Sequence, residues 1–569
     1  MKKTLIILLF FLSISLNATT YYVATSAGGG SDSNPGTFTQ PWGSLLHAFT
    51  STSVQPGDTV FIRGGIYYII ENGTGIRCTR NGTSDNWIVY ANYPGEEPIM
   101  DFGNIVAGDI AYTGLRHDGI VLSGVNYIKM IGLTVRNVKQ YFNRNYSRAV
   151  YLRDGIVTIE RFKVYNNMGH GVHSNHTTGE GGVHRIIDTD SYNNCDSISG
   201  DPLGSNAGAT GNGYAAWSDV TEGETYFINC RAWGVSDQGF SVGSDAYVKL
   251  EGCWSFNNKP YISGGGGGFK LGYQLINVPD LRREVINCVA AYNGSYGFFT
   301  NENGSGGPSS WYALRSNHYN NIAYHNGFTV TGSGYGFLIQ NTQQSAEVQR
   351  WRNFSNNVSY GNYSNVYNLG GSLYYSGSNN SWDIPLTMAD ADFASIDTTG
   401  MTAPRQADGS LPDNNFYNYF LKLSDESVLI NEGIDVGLPY VGVAPDLGPF
   451  EWSTPYAETG TDIVGFSFTS QTNAATINAT THTVAIEVAY TADITSLTPT
   501  ITLSYGATVI PTSGVARDFT NPVPYTVTAE DGVTYQEWTV TVTQGADPEE
   551  PPVETGPAIV KFNGKIVKR

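Results

Sequence analysis

The chain has 569 residues, of which 67 are Gly and 37 are Tyr, while only 14% are charged. This composition disfavours a helical protein, whose faces need Leu, Ala, Glu and Lys, and favours short strands joined by tight turns. The 31 Lys and Arg residues against 50 Asp and Glu residues give a net charge of −19, which argues against a protein that binds nucleic acid through clustered cations.

The first residues have the pattern of an export signal. Lys2 and Lys3 precede an apolar run, Leu5–Leu16, and Asn17-Ala18-Thr19 follows as a cleavage zone. The run is too short to span a bilayer comfortably, and no later segment is long and apolar enough to do so. The sequence therefore predicts a signal peptide over residues 1–18 and a secreted or extracytoplasmic protein, with the bacterial cell surface as one location.

Residues 19–455 are predicted to form one solenoid domain, of which residues 19–68 are an N-terminal cap. A cap is needed because open sheet edges invite aggregation. The segment Trp42–Thr50 is predicted to supply a short capping helix, and Pro445–Trp452 to close the far end.

Recurrent glycines, each followed by an apolar or aromatic residue, dominate the middle of the chain. From Gly213 onward the intervals between them are 26, 29, 29 and 39 residues. Irregular repeats of this length with short β-type runs indicate a β-solenoid, whereas helical repeats need a 3.6-residue periodicity and propeller blades need longer repeats. The predicted fold class is all-β, a right-handed parallel β-helix followed by a small Ig-like β-sandwich. The glycines of this pattern are Gly171, Gly213, Gly239, Gly268, Gly297 and Gly336.

Asparagines recur between these glycines, as in Asn166-Asn167, Asn193-Asn194 and Asn257-Asn258. Asn tolerates left-handed backbone geometry and can hydrogen-bond along a stack, so these residues are predicted to mark recurring corners. The cysteines are interpreted as small buried apolar residues without disulfides, because three of them precede similar short segments. They are Cys78, Cys195, Cys230, Cys253 and Cys288.

Lys270 closely follows five consecutive glycines, with only Phe269 between them. Few side chains precede it, so the backbone can bend there and a sugar chain can approach closely. From the residues alone, an exposed lysine that protects a strand edge is the simpler interpretation.

Four histidines lie close together in the sequence at spacings of 3, 3 and 8 residues. His-x-x-His spacing can bind zinc, and a histidine can act as an acid or base, but no cysteine stands at ligand spacing. A surface or turn role is therefore favoured, with substrate binding by His173 or His176 as a secondary hypothesis. The four are His170, His173, His176 and His184.

The character of the sequence changes after about residue 460. Residues 460–544 alternate apolar and polar positions, are rich in Thr and Val, and carry frequent turn signals, which predicts the Ig-like β-sandwich. Residues 545–569 are predicted to be an extended Pro/Glu linker that ends in a basic tail, Lys561–Arg569.

Several segments in order resemble polysaccharide lyase family 9, the group of pectate lyases and rhamnogalacturonan lyases. The resemblance covers about residues 20–452, and its segments are specific together but weak singly. They read DSYNNCD (Asp190–Asp196), CRAWGVSDQGFS (Cys230–Ser241), GGGGGFKLG (Gly264–Gly272), NCVAAYNGSYGFFTNENG (Asn287–Gly304) and APRQADGSLPDNNF…GVAPDLGPFE (Ala403–Glu451).

The resemblance implies a parallel β-helix enzyme that uses a lysine to remove the C5 proton of a uronate, with calcium holding the uronate carboxylate. It places the lysine at Lys270, in GFKLG, and the calcium ligands at Asn212, Asp237, Gln238 and Ser241. The family usually has Asp at all four positions, and this chain keeps only Asp237. The implied calcium cofactor is therefore in doubt.

Three interpretations of the altered calcium site remain open: weak calcium binding completed by the substrate, replacement of calcium by an arginine such as Arg231, and an inactive site. Arg231 can equally be a structural residue of the CRAW turn. The candidate substrate-binding residues are Arg231, His173 and Tyr273. Carboxylates that could restore negative charge are Asp196, Asp201, Asp219 and Asp245.

Three classes of function follow in order of support. The first is a lyase that cleaves an acidic polysaccharide by β-elimination, which requires a base, a cation for the enolate charge and help for the leaving oxygen. The second is a non-catalytic carbohydrate-binding or adhesion protein, and the third is a glycoside hydrolase, which needs two paired carboxylates. The expected partner is an acidic polysaccharide, with no nucleic acid and no membrane span, and the chain is expected to be a monomer.

Overall fold

The computed structural model describes most of the chain. The described residues are 18–70, 75–104, 118–140, 147–179, 181–198, 205–259, 261–272, 279–301, 314–328, 334–340, 351–368, 375–452, 460–504, 507–529 and 532–546, with the backbone alone of 561–562 and 565–566.

Three sheets of parallel strands wind around one core. Neighbouring strands within a sheet are three strands apart along the chain, except for the first two strands of sheet A, which are consecutive. This is the parallel β-helix that the repeats predicted. Sheet A consists of Thr20–Val23, Thr59–Ile62, Ile88–Asn92, Asn126–Ile131, Gly155–Glu160, Gly182–Ile187, Glu224–Ile228, Tyr247–Glu251, Leu281–Ile286, Arg315–Tyr319 and Arg352–Ser355. Sheet B consists of Gly65–Tyr68, Pro98–Asp101, Thr134–Arg136, Lys163–Tyr165, Asp190–Tyr192, Arg231–Trp233, Trp254–Phe256, Val289–Ala291, Ile322–Tyr324 and Val358–Tyr360. Sheet C consists of Ile76–Cys78, Asp118–Ser123, Ser147–Arg153, Gly169–His176, Tyr214–Ser218, Gln238–Ser244, Gly267–Lys270, Phe298–Phe299, Tyr335–Ile339 and Ser364–Asn368.

Helices in the described residues are short. The capping helix spans Leu45–Thr50, three residues later than predicted, because the Ser44 hydroxyl accepts a hydrogen bond from the His47 backbone N–H and begins the helix there. A second α-helix spans Asn415–Tyr419, and 3₁₀ turns span Ser26–Gly28 and Asp390–Asp392. None of these described helices has the length and apolar character that crossing a membrane requires.

The residues that follow the recurrent glycines of sheet C form an aromatic stack inside the solenoid. Adjacent ring centroids in this stack lie 4.7–4.8 Å apart with nearly parallel planes. A Cβ atom at Gly239 would overlap the Ser255 hydroxyl, so the glycine is needed where neighbouring corners meet. The stacked rings belong to Tyr214, Phe240, Phe269, Phe298 and Phe337.

The predicted asparagine corners are confirmed. Asn166, Asn193 and Asn257 all have positive φ, where Asn is tolerated better than most residues. The side-chain amides of Asn258 and Asn293 each donate to the asparagine of the next coil at 2.9 Å. These ladders satisfy polar groups that would otherwise be buried without partners.

The cysteines are free thiols, and four of the five are buried. Cys230, Cys253 and Cys288 lie in successive coils within one apolar core. Burial raises the pKa of Cys230 and Cys253 well above the ordinary thiol value. These groups therefore behave as small apolar residues, not as reactive thiolates.

The four clustered histidines are buried in strands, so the surface or turn role predicted for them is wrong. His176 and His184 stack at 4.4 Å inside the solenoid, and the Ser174 hydroxyl lies 2.7 Å from His184 Nδ1. Burial is the largest cause that lowers the pKa of His184, to about 3, and it also lowers the pKa of His176. Both imidazoles are therefore neutral structural groups at neutral pH.

We expect acid to weaken the fold through His184. Between the ordinary histidine pKa and about 3, the unfolded chain binds a proton at this position that the folded chain does not, so the free energy of unfolding decreases as the pH falls. From pH 7 to pH 5 the loss is about 2 kcal/mol for this one group. Urea unfolding at both pH values should show a shallower pH dependence in His184→Gln than in the wild type. Equal pH slopes in His184→Gln and the wild type would contradict this role of His184.

The outer face of sheet B is covered by the C-terminal segment of the solenoid, residues 375–452. Phe416, Phe420 and Leu429 of this segment pack in one buried apolar cluster with Trp254 and Phe256 of sheet B. The sequence predicted only that Pro445–Trp452 closes the end. The segment instead runs back along the sheet, because the CRAW and CWSF strands present the aromatic side chains of Trp233, Trp254 and Phe256 on the outer face.

A second compact unit begins after Trp452. It is a small β-sandwich whose core contains the fully buried Trp538. Ile463–Ser467 pairs with Thr500–Leu503, and a second sheet contains Thr476–Asn478, Thr483–Val488, Tyr535–Gln544, Val523–Thr528 and Thr508–Ile510. In the tail, Lys561–Phe562 pairs with Lys565–Ile566.

Candidate active site

Lys270 lies on an outward-facing row of sheet C. Its neighbours Phe269 and Leu271 belong to the core, so the alternation of a strand points Lys270 outward. The row is defined by register: Lys270 pairs with Ser241 on one side and with Phe299 on the other. Beyond Ser241 the same row continues through Ala215 to His173.

Lys270 is half-buried, and among the described residues no hydrogen bond or ion pair involves its side chain. Arg148, on another strand of the same sheet, is different because it makes a two-point contact with the Asp118 carboxylate at 2.6–2.7 Å. A basic group without a structural partner is a candidate for chemistry.

The glycine run before Lys270 lies against Asp237 and Gln238. The Gly265 backbone N–H donates to Asp237 Oδ1 at 2.9 Å. A Cβ atom at Gly267 would overlap Gln238 Oε1 and would lie 2.5 Å from the Tyr296 ring. The sequence predicted that these glycines give a sugar chain access, but they also let buried side chains and backbone approach closely.

Three of the four predicted metal residues are joined by hydrogen bonds. Gln238 Nε2 donates to Asp237 Oδ1 at 2.7 Å, and the Gln238 backbone N–H donates to Asn212 Oδ1 at 3.0 Å. Tyr296 Oη donates to Gln238 Oε1 at 2.6 Å. Ser241, the fourth, is beside Lys270 in the register and 8% exposed.

Asp237 is electrostatically linked to Lys270. Burial raises the pKa of Asp237 to about 6, while the positive charge of Lys270 and the hydrogen bonds from Gly265 and Gln238 oppose that rise. The charge of Asp196 adds to the rise. Asp196 is itself buried and accepts a hydrogen bond from the Thr210 hydroxyl at 2.5 Å, so it lies in the same acidic neighbourhood.

The residues at the predicted calcium position do not fit calcium. Calcium takes about six to eight oxygen ligands, several from carboxylates, and only Asp237 supplies a carboxylate here. The side-chain oxygens of Asn212 and Gln238 and one oxygen of Asp237 already accept protein hydrogen bonds. No group of three or more His, Cys, Asp or Glu side chains that could hold a metal occurs in the part of the chain that the structure describes.

Arg231 does not belong to this site. It lies on sheet B, is fully buried, and contacts Asp190 through two hydrogen bonds at 2.5 and 2.8 Å. Its third nitrogen donates to the Tyr417 hydroxyl at 2.6 Å. Burial acts to lower the pKa of Arg231, but the Asp190 carboxylate raises it above the ordinary value. The hypothesis that Arg231 replaces calcium or binds substrate is therefore not supported, and the structural interpretation of the CRAW turn agrees with these contacts.

His173 shares the row of Lys270 but lies three strands away, about 14 Å at the usual strand spacing. It is 1% exposed, and its ring packs at 4.9 Å against Trp217 and at 5.1 Å against His170. His173 therefore cannot contact a polysaccharide directly in this conformation. Tyr273, the other candidate substrate-binding residue, lies outside the described residues.

Two residues near Lys270 were missed by the sequence analysis. Phe299 is the register neighbour of Lys270 and is half-buried, and the Tyr296 ring packs against it at 4.8 Å. Both belong to the SYGFF segment, which was interpreted only as one more copy of the core repeat. The second Phe of that segment was the available signal, because strand alternation places it on the face opposite the core.

Comparisons with known proteins agree with this architecture. Residues 21–344 match the family model described as Pel9A-like, right handed beta helix region, and residues 463–542 match one described as SGBP, N-terminal. Pectate lyase L of Dickeya dadantii (strain 3937) is 28% identical over 443 residues, which cover 76% of this chain and 90% of that protein. Pectate lyase PEL9 of Emericella nidulans is 25% identical over 413 residues, which cover 68% and 90%.

Solved structures give the same result. The crystal structure of pectate lyase Pel9A aligns with a TM-score of 0.57 at 26% identity, covering 77% of this chain and 98% of that one. A rhamnogalacturonan lyase aligns with a TM-score of 0.56 at 24% identity, covering 72% and 97%, and supports the fold alone. The resemblance seen in the sequence is thus confirmed. Because the first family model covers more than half of the chain, this protein belongs to the Pel9A-like right-handed β-helix family, and it is a polysaccharide lyase.

Proposed function

We propose that this lyase cleaves a uronic-acid-containing polysaccharide, of the pectate or rhamnogalacturonan type, by β-elimination with Lys270 as the base. The observation that carries the proposal is the Lys270 amine, which stands on the outer row of sheet C without a structural partner among the described residues. Similarity to proteins named pectate lyase supports the substrate class.

The proposed reaction needs one proton acceptor. A neutral Lys270 amine takes the C5 proton of the uronate, and the electron pair of that C–H bond forms the C4–C5 double bond. The C4–O bond breaks, and the leaving oxygen takes a proton from solvent. The ammonium that forms on Lys270 remains beside the carbon that carried the developing negative charge, so the same group stabilises the enolate-like transition state.

The neighbours of Lys270 suit a sugar chain that lies across sheet C. Ser241 on one side is small but only 8% exposed, and Ala215 beyond it is fully buried, so the accessible part of the row lies at Lys270 and Phe299. Phe299 on the other side offers an aromatic surface at the next strand, about 4.8 Å away.

A product assay tests this proposal. The purified protein should generate unsaturated products, seen as rising ultraviolet absorbance, from at least one member of a panel of uronate polysaccharides that includes polygalacturonate and rhamnogalacturonan. Saturated products would instead indicate hydrolysis. Unchanged absorbance across the whole panel, with and without added calcium, would overturn the proposal.

We also propose that the chain is exported. The support is the run of Lys2, Lys3 and Leu5–Leu16 at the N-terminus, followed by small and polar residues before the first strand at Thr20. N-terminal sequencing of the mature protein should begin within a few residues of Ala18, and a mature chain that starts at Met1 would contradict export by a cleaved signal.

A further inference from the structure

We propose that a closed hydrogen-bond network fills the position where the family resemblance places calcium, and that this protein therefore holds no resident calcium there. The network joins Tyr296, Gln238, Asp237, Asn212 and the glycine run before Lys270. The inference rests on the proposed function for the position of the site. A measurement of calcium binding tests it without any activity assay.

Gln238 is the centre of the network. Its side-chain oxygen accepts a hydrogen bond from Tyr296 Oη at 2.6 Å, and its side-chain nitrogen donates to Asp237 Oδ1 at 2.7 Å. Gln238 is 3% exposed, so water does not compete freely for these contacts. An acidic residue here could not make both contacts when ionised, because a carboxylate has no proton to donate to Asp237.

Asn212 is oriented by two different partners. Its Oδ1 accepts from the Gln238 backbone N–H at 3.0 Å, and its Nδ2 lies 3.1 Å from His170 Nδ1. Turning the amide to present its oxygen to a cation would place the NH₂ group against the Gln238 N–H. A buried donor would then lose its acceptor, which costs about 1–3 kcal/mol.

The glycine run fits this network closely. Gly265 N–H supplies the second hydrogen bond to Asp237 Oδ1, and Gly267 leaves the space that Gln238 Oε1 and the Tyr296 ring occupy. Any residue with a side chain at Gly267 would displace one of these groups. The segment that presents Lys270 is thus tied to Asp237 by hydrogen bonds, so no metal is needed to hold the two together.

Calcium binding would have to break several of these contacts together. The ion would gain one carboxylate, two amide oxygens and a hydroxyl, fewer charged ligands than calcium sites normally offer. Asn212, Gln238 and Asp237 are at most 9% exposed, and the two amide oxygens and Asp237 Oδ1 already accept protein hydrogen bonds. Exchanging these hydrogen bonds for calcium coordination is therefore unfavourable, and we expect the hydrogen-bond network to persist.

Calorimetric titration of calcium chloride into the purified full-length protein, without polysaccharide, tests the inference. The wild type should give no saturable heat, and millimolar calcium should not shift its melting temperature. The variant Asn212→Asp/Gln238→Asp/Ser241→Asp restores four carboxylates and should gain one saturable site with a Kd of about 10⁻³ M or tighter.

A charge-matched control distinguishes calcium binding at one specific site from a general effect of added negative charge. Thr52→Asp/Thr402→Asp/Thr483→Asp adds three carboxylates at exposed positions and should not gain saturable binding. Saturable one-to-one calcium binding by the wild type that Asp237→Asn abolishes would overturn the inference. The wild-type titration decides the matter even if the acidic variant does not fold.

The outcome is independent of the polysaccharide assay. A wild type that fails to bind calcium but has no lyase activity would refute the proposed function and leave the network intact. A wild type that cleaves polysaccharide and also binds calcium through Asp237 would support the proposed function and refute the inference that no calcium is held there.

Discussion

Replacing Lys270 with methionine is expected to lower kcat by about 10²–10⁴-fold, the usual contribution of a positioned general base. Methionine keeps most of the length and apolar stem of lysine but cannot accept the proton. Lys270 makes no hydrogen bond or ion pair among the described residues, so the fold should lose little. Initial rates of ultraviolet absorbance on the best substrate of the panel measure the effect.

Lys249→Met is the matched control for this experiment. Lys249 also lies on a strand of the solenoid, but on sheet A, where it pairs with Glu251 at 2.9 Å. Its replacement should leave kcat at the wild-type value. If Lys270→Met retained the wild-type rate while its melting temperature was unchanged, another group would have to be the base.

Arg231→Met is expected to have the opposite profile, a loss of stability of about 3–5 kcal/mol with kcat little changed in the fraction that folds. The change leaves the buried Asp190 carboxylate with Arg405 as its remaining cation, and it leaves the Tyr417 hydroxyl without its donor. The loss of half of the charge compensation at Asp190, together with the lost buried hydrogen bonds, is the physical cause. Urea unfolding followed by circular dichroism measures the effect.

A partly exposed ion pair provides the comparison for Arg231. Arg63 contacts Glu96 at 2.8 Å, but about a third of each side chain is exposed. Arg63→Met should therefore cost at most about 1 kcal/mol. Equal losses in the two variants would contradict the structural role assigned to Arg231, and a selective loss of kcat in Arg231→Met would return it to the active site.

The coil pattern of the solenoid could be predicted because each coil repeats local signals. Two such signals are a glycine before an aromatic residue, as at Gly239 and Phe240, and a left-handed asparagine, as at Asn257. Both depend on contacts with the next coil only. The same local rules hold in each repeat, so composition and spacing were sufficient. The histidines were misjudged because a neutral buried pair such as His176 and His184 has no distinguishing spacing.

The contacts around the candidate site could not be predicted in the same way. Tyr296 and Gln238 are 58 residues apart, and Arg231 and Tyr417 are 186 apart, so no spacing rule connects them. Lys270 was identified by resemblance to a family. From its own neighbours in the sequence, a strand-edge lysine was the simpler interpretation, and its role as the base stays a prediction.

The covering of sheet B by residues 375–452 affects the order in which the solenoid can be completed during synthesis. Strands from Arg231 to Tyr360 emerge from the ribosome before the segment that covers their outer face. Until Phe416 and Leu429 arrive, a band of aromatic and aliphatic side chains faces water, and such bands promote association between unfinished chains. The last segment of the solenoid thus completes the surface of coils that were synthesised before it.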